Sequence, residues 1–263
     1  MNSKNQNSFA LITGASNGIG KSMAIELAKR GNNILLISRT ESDLKIVADY
    51  LISNYKIQAY YLAIDLSLPA SPQTIMNWIK EKNIPVHILV NNAGYGLWGN
   101  FDEIPLDKQL NMLHLNMLSV VSLTYKAIPL LKQQNDSFIL NTSSMAGYSS
   151  VAKFALYAAS KSFITVFSKS LRSELNSSNI SLTCLSPGAV ITKFTERAQM
   201  LEKHKKLALK FGMTPEIIAQ KAITAMYNKK KEIIPGMSNR LMVGLMKILP
   251  ENLITQITTK MYK

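Results

Sequence analysis

Apolar positions along the chain fall into short unbroken runs, separated by longer stretches in which they recur every three or four residues. The runs are Phe9 to Thr13, Asn33 to Ser38, Ala59 to Ile64, Val86 to Val90, Ser137 to Asn141 and Ile180 to Leu185, and Ile233-Ile234 before Pro235-Gly236 reads as the tail of a seventh. Runs of this length, rich in Ile, Leu and Val and free of polar alternation, predict strands buried on both faces. The helical period holds from Ala24 to Leu27, from Glu41 to Asn54, over a long stretch from Asp107 to Gln133 and over another from Phe154 to Asn176. Buried strands alternating with helices predict a doubly wound α/β fold, in which a parallel sheet is covered on both sides through right-handed crossovers. Ligands of such sheets sit at the carboxyl ends of the strands, where the strand order reverses. Residues with chemical work to do are therefore expected just after strands.

Length and composition fit this reading. A chain of 263 residues with 47% apolar and 17% charged residues builds one continuous core and is neither disordered nor fibrous. We divide it into a catalytic domain, residues 1–237, and a C-terminal amphipathic extension, residues 238–263. The single cysteine, Cys184, lies within an apolar run, which excludes an internal disulfide and a cysteine-rich metal site, and no other metal-ligand pattern is seen. Residues Met1 to Ser8 are polar and lack the apolar stretch of a secretory signal, so a cytoplasmic protein is expected. No segment reaches the roughly 18 uninterrupted apolar residues of a spanning helix. The net charge is +14, and residues 196–263 carry 13 Lys and Arg against 5 Asp and Glu. Such a tail suits a solvated surface, an anionic membrane or an acidic substrate. No recognition motif or aromatic platform points to nucleic acid.

The first predicted strand runs into Thr13-Gly14-Ala15-Ser16-Asn17-Gly18-Ile19-Gly20, and a helix begins near Lys21. Glycines permit positive φ and close backbone approach, and a helix N-terminus offers unpaired N–H groups, so this turn is a cradle for phosphate. The second strand ends at Ile37-Ser38-Arg39-Thr40. A fold that binds NAD usually offers a carboxylate there, whereas NADP needs a cation for its 2′-phosphate. Arg39 therefore predicts NADP(H), the alternative being an ordinary surface arginine. Asp65 and Leu66 follow the third strand. The Asp65 carboxylate is placed either to accept from an adenine amino group or to cap the next turn.

The segment Tyr157-Ala158-Ala159-Ser160-Lys161 puts a phenol and an ammonium one helical turn apart on one face. A cation beside a phenol stabilises the phenolate and makes Tyr157 a usable acid or base near neutral pH. The pair is common on helices, and its weight comes from its neighbours. Ser143-Ser144 after the fifth strand can hold a carbonyl oxygen, and Asn116 within the long helix can order a water toward Lys161. Asn92, Ala93 and Gly94 after the fourth strand, and Pro187 and Gly188 after the sixth, would border a flat ligand, and Val190 and Thr192 follow in the same segment.

These motifs resemble the short-chain dehydrogenase/reductase family from about Phe9 to Thr192. Thr13 to Gly20 is similar to its cofactor loop, Asn91-Asn92-Ala93-Gly94 to its N-N-A-G motif, Tyr157 and Lys161 to its Y-x-x-x-K, and Pro187-Gly188 with Thr192 to its P-G…T segment. The resemblance implies a Rossmann-type subunit with Asn116, Ser144, Tyr157 and Lys161 as catalytic tetrad. The family's serine lies 13 positions before the tyrosine, which selects Ser144 and leaves Ser143 as a turn residue. It further implies that Tyr157 transfers the proton, that Lys161 bonds the nicotinamide ribose and that Thr192 touches the carboxamide. It also implies a homodimer or homotetramer paired through the helices at Asp107–Gln133 and Phe154–Asn176. The glycine turn and the Ser-Arg-Thr segment are similar to those of the family's 3-ketoacyl reductases of fatty-acyl elongation.

The substrate is then a ketone or aldehyde, or the matching alcohol, on an apolar skeleton, with a 3-oxoacyl thioester as one form. An NADP(H)-binding regulatory protein without turnover is the alternative. Substrate-covering helices are expected over about 193–212, where Ala198, Met200, Leu201, Leu207, Leu209 and Phe211 either line a pocket or pack on the core. Leu241, Leu245, Ile248 and Leu249, then Leu253, Ile257 and Met261, predict two short amphipathic helices with Arg240, Lys247, Lys260 and Lys263 between them. They suit packing on the sheet, a second subunit or a peripheral membrane contact.

Overall fold

The computed structural model describes residues 8–250 and 253–254. Strands β1 (Phe9–Thr13), β2 (Asn33–Ser38), β3 (Ala59–Ala63), β4 (Val86–Asn91), β5 (Ser137–Thr142), β6 (Ile180–Leu185) and β7 (Glu232–Ile233) form one parallel sheet in the order β3-β2-β1-β4-β5-β6-β7. The order reverses between β1 and β4, which opens a crevice at their carboxyl ends. Strands β1, β2 and β4 are buried along nearly their whole length, because both of their faces are covered.

Alternate residues feed two cores. Ala10 and Ile12 of β1 join helices α1 (Gly18–Lys29) and α2 (Glu41–Tyr55) through Met23, Leu27, Leu44 and Leu51. Phe9 and Leu11 face the opposite layer, with α3 (Ser71–Glu81) supplying Ile75 and Ile79. The edge strand β3 departs from the apolar expectation: Tyr60 is 39% exposed and lies under Lys82 Nζ. The opposite edge, β7, pairs Cys184 with Glu232 and Leu185 with Ile233, one residue earlier than the apolar pair suggested.

The helix expected over 107–133 is interrupted. It runs as α4 (Leu106–Leu113), a π-helical turn at His114–Leu118 and α5 (Ser119–Lys132). The apolar period continues through this turn, so the pattern conceals an extra residue at Asn116. The second long helix, α6 (Ala155–Glu174), carries Tyr157 in its first turn. Beyond β6 come α7 (Phe194–Arg197), α8 (Glu202–Phe211), α9 (Pro215–Tyr227), which completes the first core with Ile218 and Ile223, and α10 (Met237–Met246).

Two expectations for the tail are corrected. Along α8 it is His204 and Ala208, one turn apart, that face inward, so Leu207, Leu209 and Phe211 are exposed rather than packed on the core, and Leu201 is likewise exposed. Helix α10 rests on Val243, with the Asn239 amide donating to Pro235 O at 2.7 Å and Arg240 Nε to Ile234 O at 3.0 Å. The predicted apolar face, Leu241, Leu245 and Ile248, therefore points to solvent. Of the second helix, Leu253 is exposed and the neighbouring Ile254 buried, while Ile257, Lys260, Met261 and Lys263 lie outside the described residues. No helix among the described residues is long and apolar enough to cross a membrane.

Candidate active site

The crevice between β1 and β4 is bound together by one hydroxyl. Thr13 Oγ1 donates to Val90 O at 3.2 Å and accepts from the amides of Asn92 and Ala93 at 2.9 and 3.0 Å. The Asn92 side chain donates in turn to Thr13 O at 3.1 Å. A strand-end threonine gives no periodic signal, so this bridging role of the Thr13 hydroxyl is visible only in the fold.

The glycine turn is closed tightly over this seam. Gly14 has a φ of +64°, and a Cβ on it would lie 3.0 Å from Ala93 Cα; on Gly20 it would lie 2.1 Å from Gly14 O. Only glycine fits either position. Helix α1 starts behind the turn with Asn17 at its N-cap, and this side chain does not cap the helix. With no acidic residue in the first turn either, the N-terminus is open to an anion. Ser38 Oγ hydrogen-bonds Ser16 Oγ at 2.9 Å and so ties the turn to the end of β2.

Arg39, next in line, is exposed. Across the crevice, burial raises the pKa of the Tyr95 hydroxyl, an effect that the nearby Arg39 opposes and Asp65 reinforces, so the three groups share one field. Asp65 Oδ1 accepts from the backbone N–H and hydroxyl of Ser67 at 2.9 and 2.8 Å, which is the turn-capping role. Leu66 is buried beneath it. Glycine cradle, open helix end and exposed cation together fit the pyrophosphate and 2′-phosphate of a dinucleotide.

Lys161 is 5% exposed, and its Nζ donates to Thr142 O at 3.0 Å. Burial pulls its ammonium down to about 8 from an ordinary 10.5. The same nitrogen lies 5.8 Å from the centre of the Tyr157 ring. Asn116 is 1% exposed, and its amide is committed: Oδ1 accepts from Tyr95 N at 3.1 Å, and Nδ2 donates to Tyr95 O at 2.9 Å and Ser160 Oγ at 3.2 Å. A Cβ on Gly94 would fall 2.9 Å from Asn116 Oδ1 and 3.4 Å from Lys161 Nζ, so this glycine sits over both groups.

The two serines after β5 sit in different surroundings. Ser143 is buried, donates to Lys161 O at 2.7 Å and pairs with Thr165 Oγ1 at 2.8 Å, which fixes α6 against the sheet. Ser144 caps the following 3-10 turn, Met145–Tyr148, by accepting from Ala146 N at 3.2 Å, and its hydroxyl proton is left for a ligand. Pro187 O accepts from Met145 N at 2.9 Å, so the segments after β5 and β6 meet. Val190 bridges to Met213, and Thr192 Cγ2 would lie 3.3 Å from a Cβ on Gly18, beside the cofactor turn. Ile19 packs partly into the core behind it.

A sequence-family model described as short chain dehydrogenase matches residues 8–203, three-quarters of the chain. The chain belongs to the short-chain dehydrogenase family. Relatives of this chain include the very-long-chain 3-oxoacyl-CoA reductase of Rattus norvegicus, 34% identical over 74% of this chain and 64% of that protein. The chain thus spans under two-thirds of that relative's length. The NADP-dependent 3-hydroxy acid dehydrogenase of Schizosaccharomyces pombe is 29% identical over 85% of this chain and 88% of its own. A 7beta-hydroxysteroid dehydrogenase has the same fold, with a TM-score of 0.87 over 98% of this chain and 99% of that one at 21% identity. A short-chain dehydrogenase from Sphingobium yanoikuyae, solved with NADPH, gives 0.80 over 93% and 97% at 25% identity.

Proposed function

We propose that the protein is an NADPH-dependent reductase of ketones or aldehydes on apolar molecules, 3-oxoacyl thioesters among them, and that it runs in reverse on the matching alcohols. The observation that carries this is the buried Lys161 ammonium next to Tyr157 on the first turn of α6. A cation in a poorly solvated site acts strongly on a neighbouring phenol. Ser144 donates a hydrogen bond to the substrate oxygen and holds it against Tyr157. Tyr157 gives its proton to that oxygen as the carbonyl becomes an alcohol. Lys161 keeps the resulting phenolate stable, and Asn116, bolted to Tyr95 and Ser160, fixes the floor below it. NADPH, when bound, supplies the hydride. Gly14, Gly18 and Gly20 with the N-terminus of α1 would hold its pyrophosphate, Arg39 its 2′-phosphate, and Thr192 its carboxamide. Relatives named for NADP and for 3-oxoacyl-CoA support the choice of cofactor and substrate class.

The direct test is NADPH oxidation by the purified chain across aldehydes, ketoesters and 3-oxoacyl thioesters. Turnover is expected with at least one class, together with at least about a tenfold preference for NADPH over NADH. Binding of NADPH without oxidation of any substrate class would point instead to a regulatory protein, and a tenfold preference for NADH would overturn the role given to Arg39.

The same reading extends to partners. Leu110, Leu118, Tyr125 and Val166 are exposed on α4, the π turn, α5 and α6, and support a homodimer or homotetramer. The exposed apolar residues of α8 and α10 among lysines support a peripheral contact of a cytoplasmic protein with an anionic membrane.

A further inference from the structure

The ring of the proposed proton donor is enclosed by two others. Phe154, at the start of α6, lies 4.6 Å from the Tyr157 ring centre, and Phe194, the first residue of α7, lies 5.5 Å from it. Both rings also converge on Gly96: a Cβ there would be 2.9 Å from Phe154 Cζ, 3.0 Å from Phe194 Cζ and 3.3 Å from Tyr157 Cδ2. The three rings and the buried glycine close on one another with no room for a methyl group.

The two flanking rings differ in their support. Phe154 is 4% exposed and belongs to the frame that carries Tyr157. Phe194 keeps part of its surface open and belongs to the four-residue helix α7. That helix is fastened at each end. The Phe194 N–H donates to Thr192 Oγ1 at 3.2 Å, next to the cofactor turn, and Ala198 O accepts from Trp98 N at 3.1 Å, on the loop that continues from Gly96. Phe194 is therefore held in place from the cofactor side while its ring stands beside the reacting hydroxyl group's own ring.

We propose that Phe194 is a specificity-determining residue, whose ring sets how large a group is accepted beside the carbonyl carbon. This rests on the reading of Tyr157 as proton donor. A wall of this kind discriminates by volume: removing even part of a side chain from an apolar pocket changes relative turnover by about tenfold or more.

The test uses a methyl ketone and its phenyl counterpart, both reduced by the wild type, with kcat/KM measured for Phe194→Ala, Phe194→Leu and Gly96→Ala. Phe194→Ala should raise the phenyl-to-methyl ratio at least about tenfold, Phe194→Leu by less, and Gly96→Ala should lower it. The Kd for NADPH should stay within about twofold in the Phe194 variants, which separates the pocket from the cofactor site. If Phe194→Ala does not fold, Phe194→Leu carries the test. A ratio within twofold of wild type in the folded Phe194 variants overturns the proposal. Full turnover by Tyr157→Phe would instead remove the reading beneath it, whatever the ratio does.

Discussion

Lys161 is held where a lysine is least comfortable. It is nearly fully buried, its ammonium donates to one backbone oxygen, Thr142 O, and burial lowers its pKa from 10.5 to about 8. A shift of that size costs about 3 kcal/mol of folding stability at pH 7. The folded value lies below the unfolded one, so the cost is carried in full below pH 8 and fades as the pH rises to 10.5. Lys161→Met should then unfold at higher urea than wild type at pH 7, by about 2 kcal/mol after the lost hydrogen bond, with the gain shrinking by pH 10. Its turnover should fall at least about a hundredfold. A variant less stable than wild type at pH 7 would show that the charge is better compensated than its burial indicates. The pair Tyr157–Lys161 was legible in the sequence because it needs only a helical period. The burial that gives it force was not, since it comes from Thr142 of β5 and Asn116 of the π turn, brought in from two other elements.

At the scale of elements, the site is made by turns that break regular structure. The glycine turn could be read directly, because Gly14 and Gly20 stand where a Cβ would strike backbone. Gly20→Ala should abolish NADPH binding by fluorescence titration and lower the thermal midpoint by several degrees, consistent with overpacking costs of about 1–3 kcal/mol. Unchanged cofactor affinity would mean that the turn can open without cost. The π turn at His114–Leu118 could not be read, since apolar residues keep their spacing through it while only the backbone hydrogen bonds shift by one. The particular contacts of Thr13 and Phe194 could not be read for a related reason: they reach across the crevice, to Ala93 and to Tyr157. The error in α8 was one of phase. Leu207, Leu209 and Phe211 were grouped by hydrophobicity, but it is His204 and Ala208 that meet the body of the protein.

For the molecule as a whole, the sheet carries its chemistry at one end, and an apolar, basic surface lies on the same side. The end of α8 meets the start of α10, where Met213 Sδ lies 3.5 Å from a Cβ built at Gly236. Leu207, Leu209, Phe211, Met237, Leu241 and Leu245 are exposed on these helices, with Lys203, Lys206, Lys210 and Arg240 among them. Apolar side chains beside lysines gain from an anionic bilayer, where burial and charge act together. Flotation with phosphatidylserine vesicles should recover the full chain at low salt, less of it at high salt, and little of a form lacking residues 238–263. No binding by the full chain would exclude the membrane contact. The fold class and the crevice at the strand ends followed from pattern, whereas this surface depended on which way two short helices turned. The account nonetheless stands on one proton. Single-turnover NADPH oxidation with a ketone that the wild type reduces, compared between wild type and Tyr157→Phe at saturating cofactor, tests it most directly. A rate at least about a hundredfold lower with unchanged NADPH affinity is predicted, and a variant that turns over as fast as wild type would contradict the mechanism.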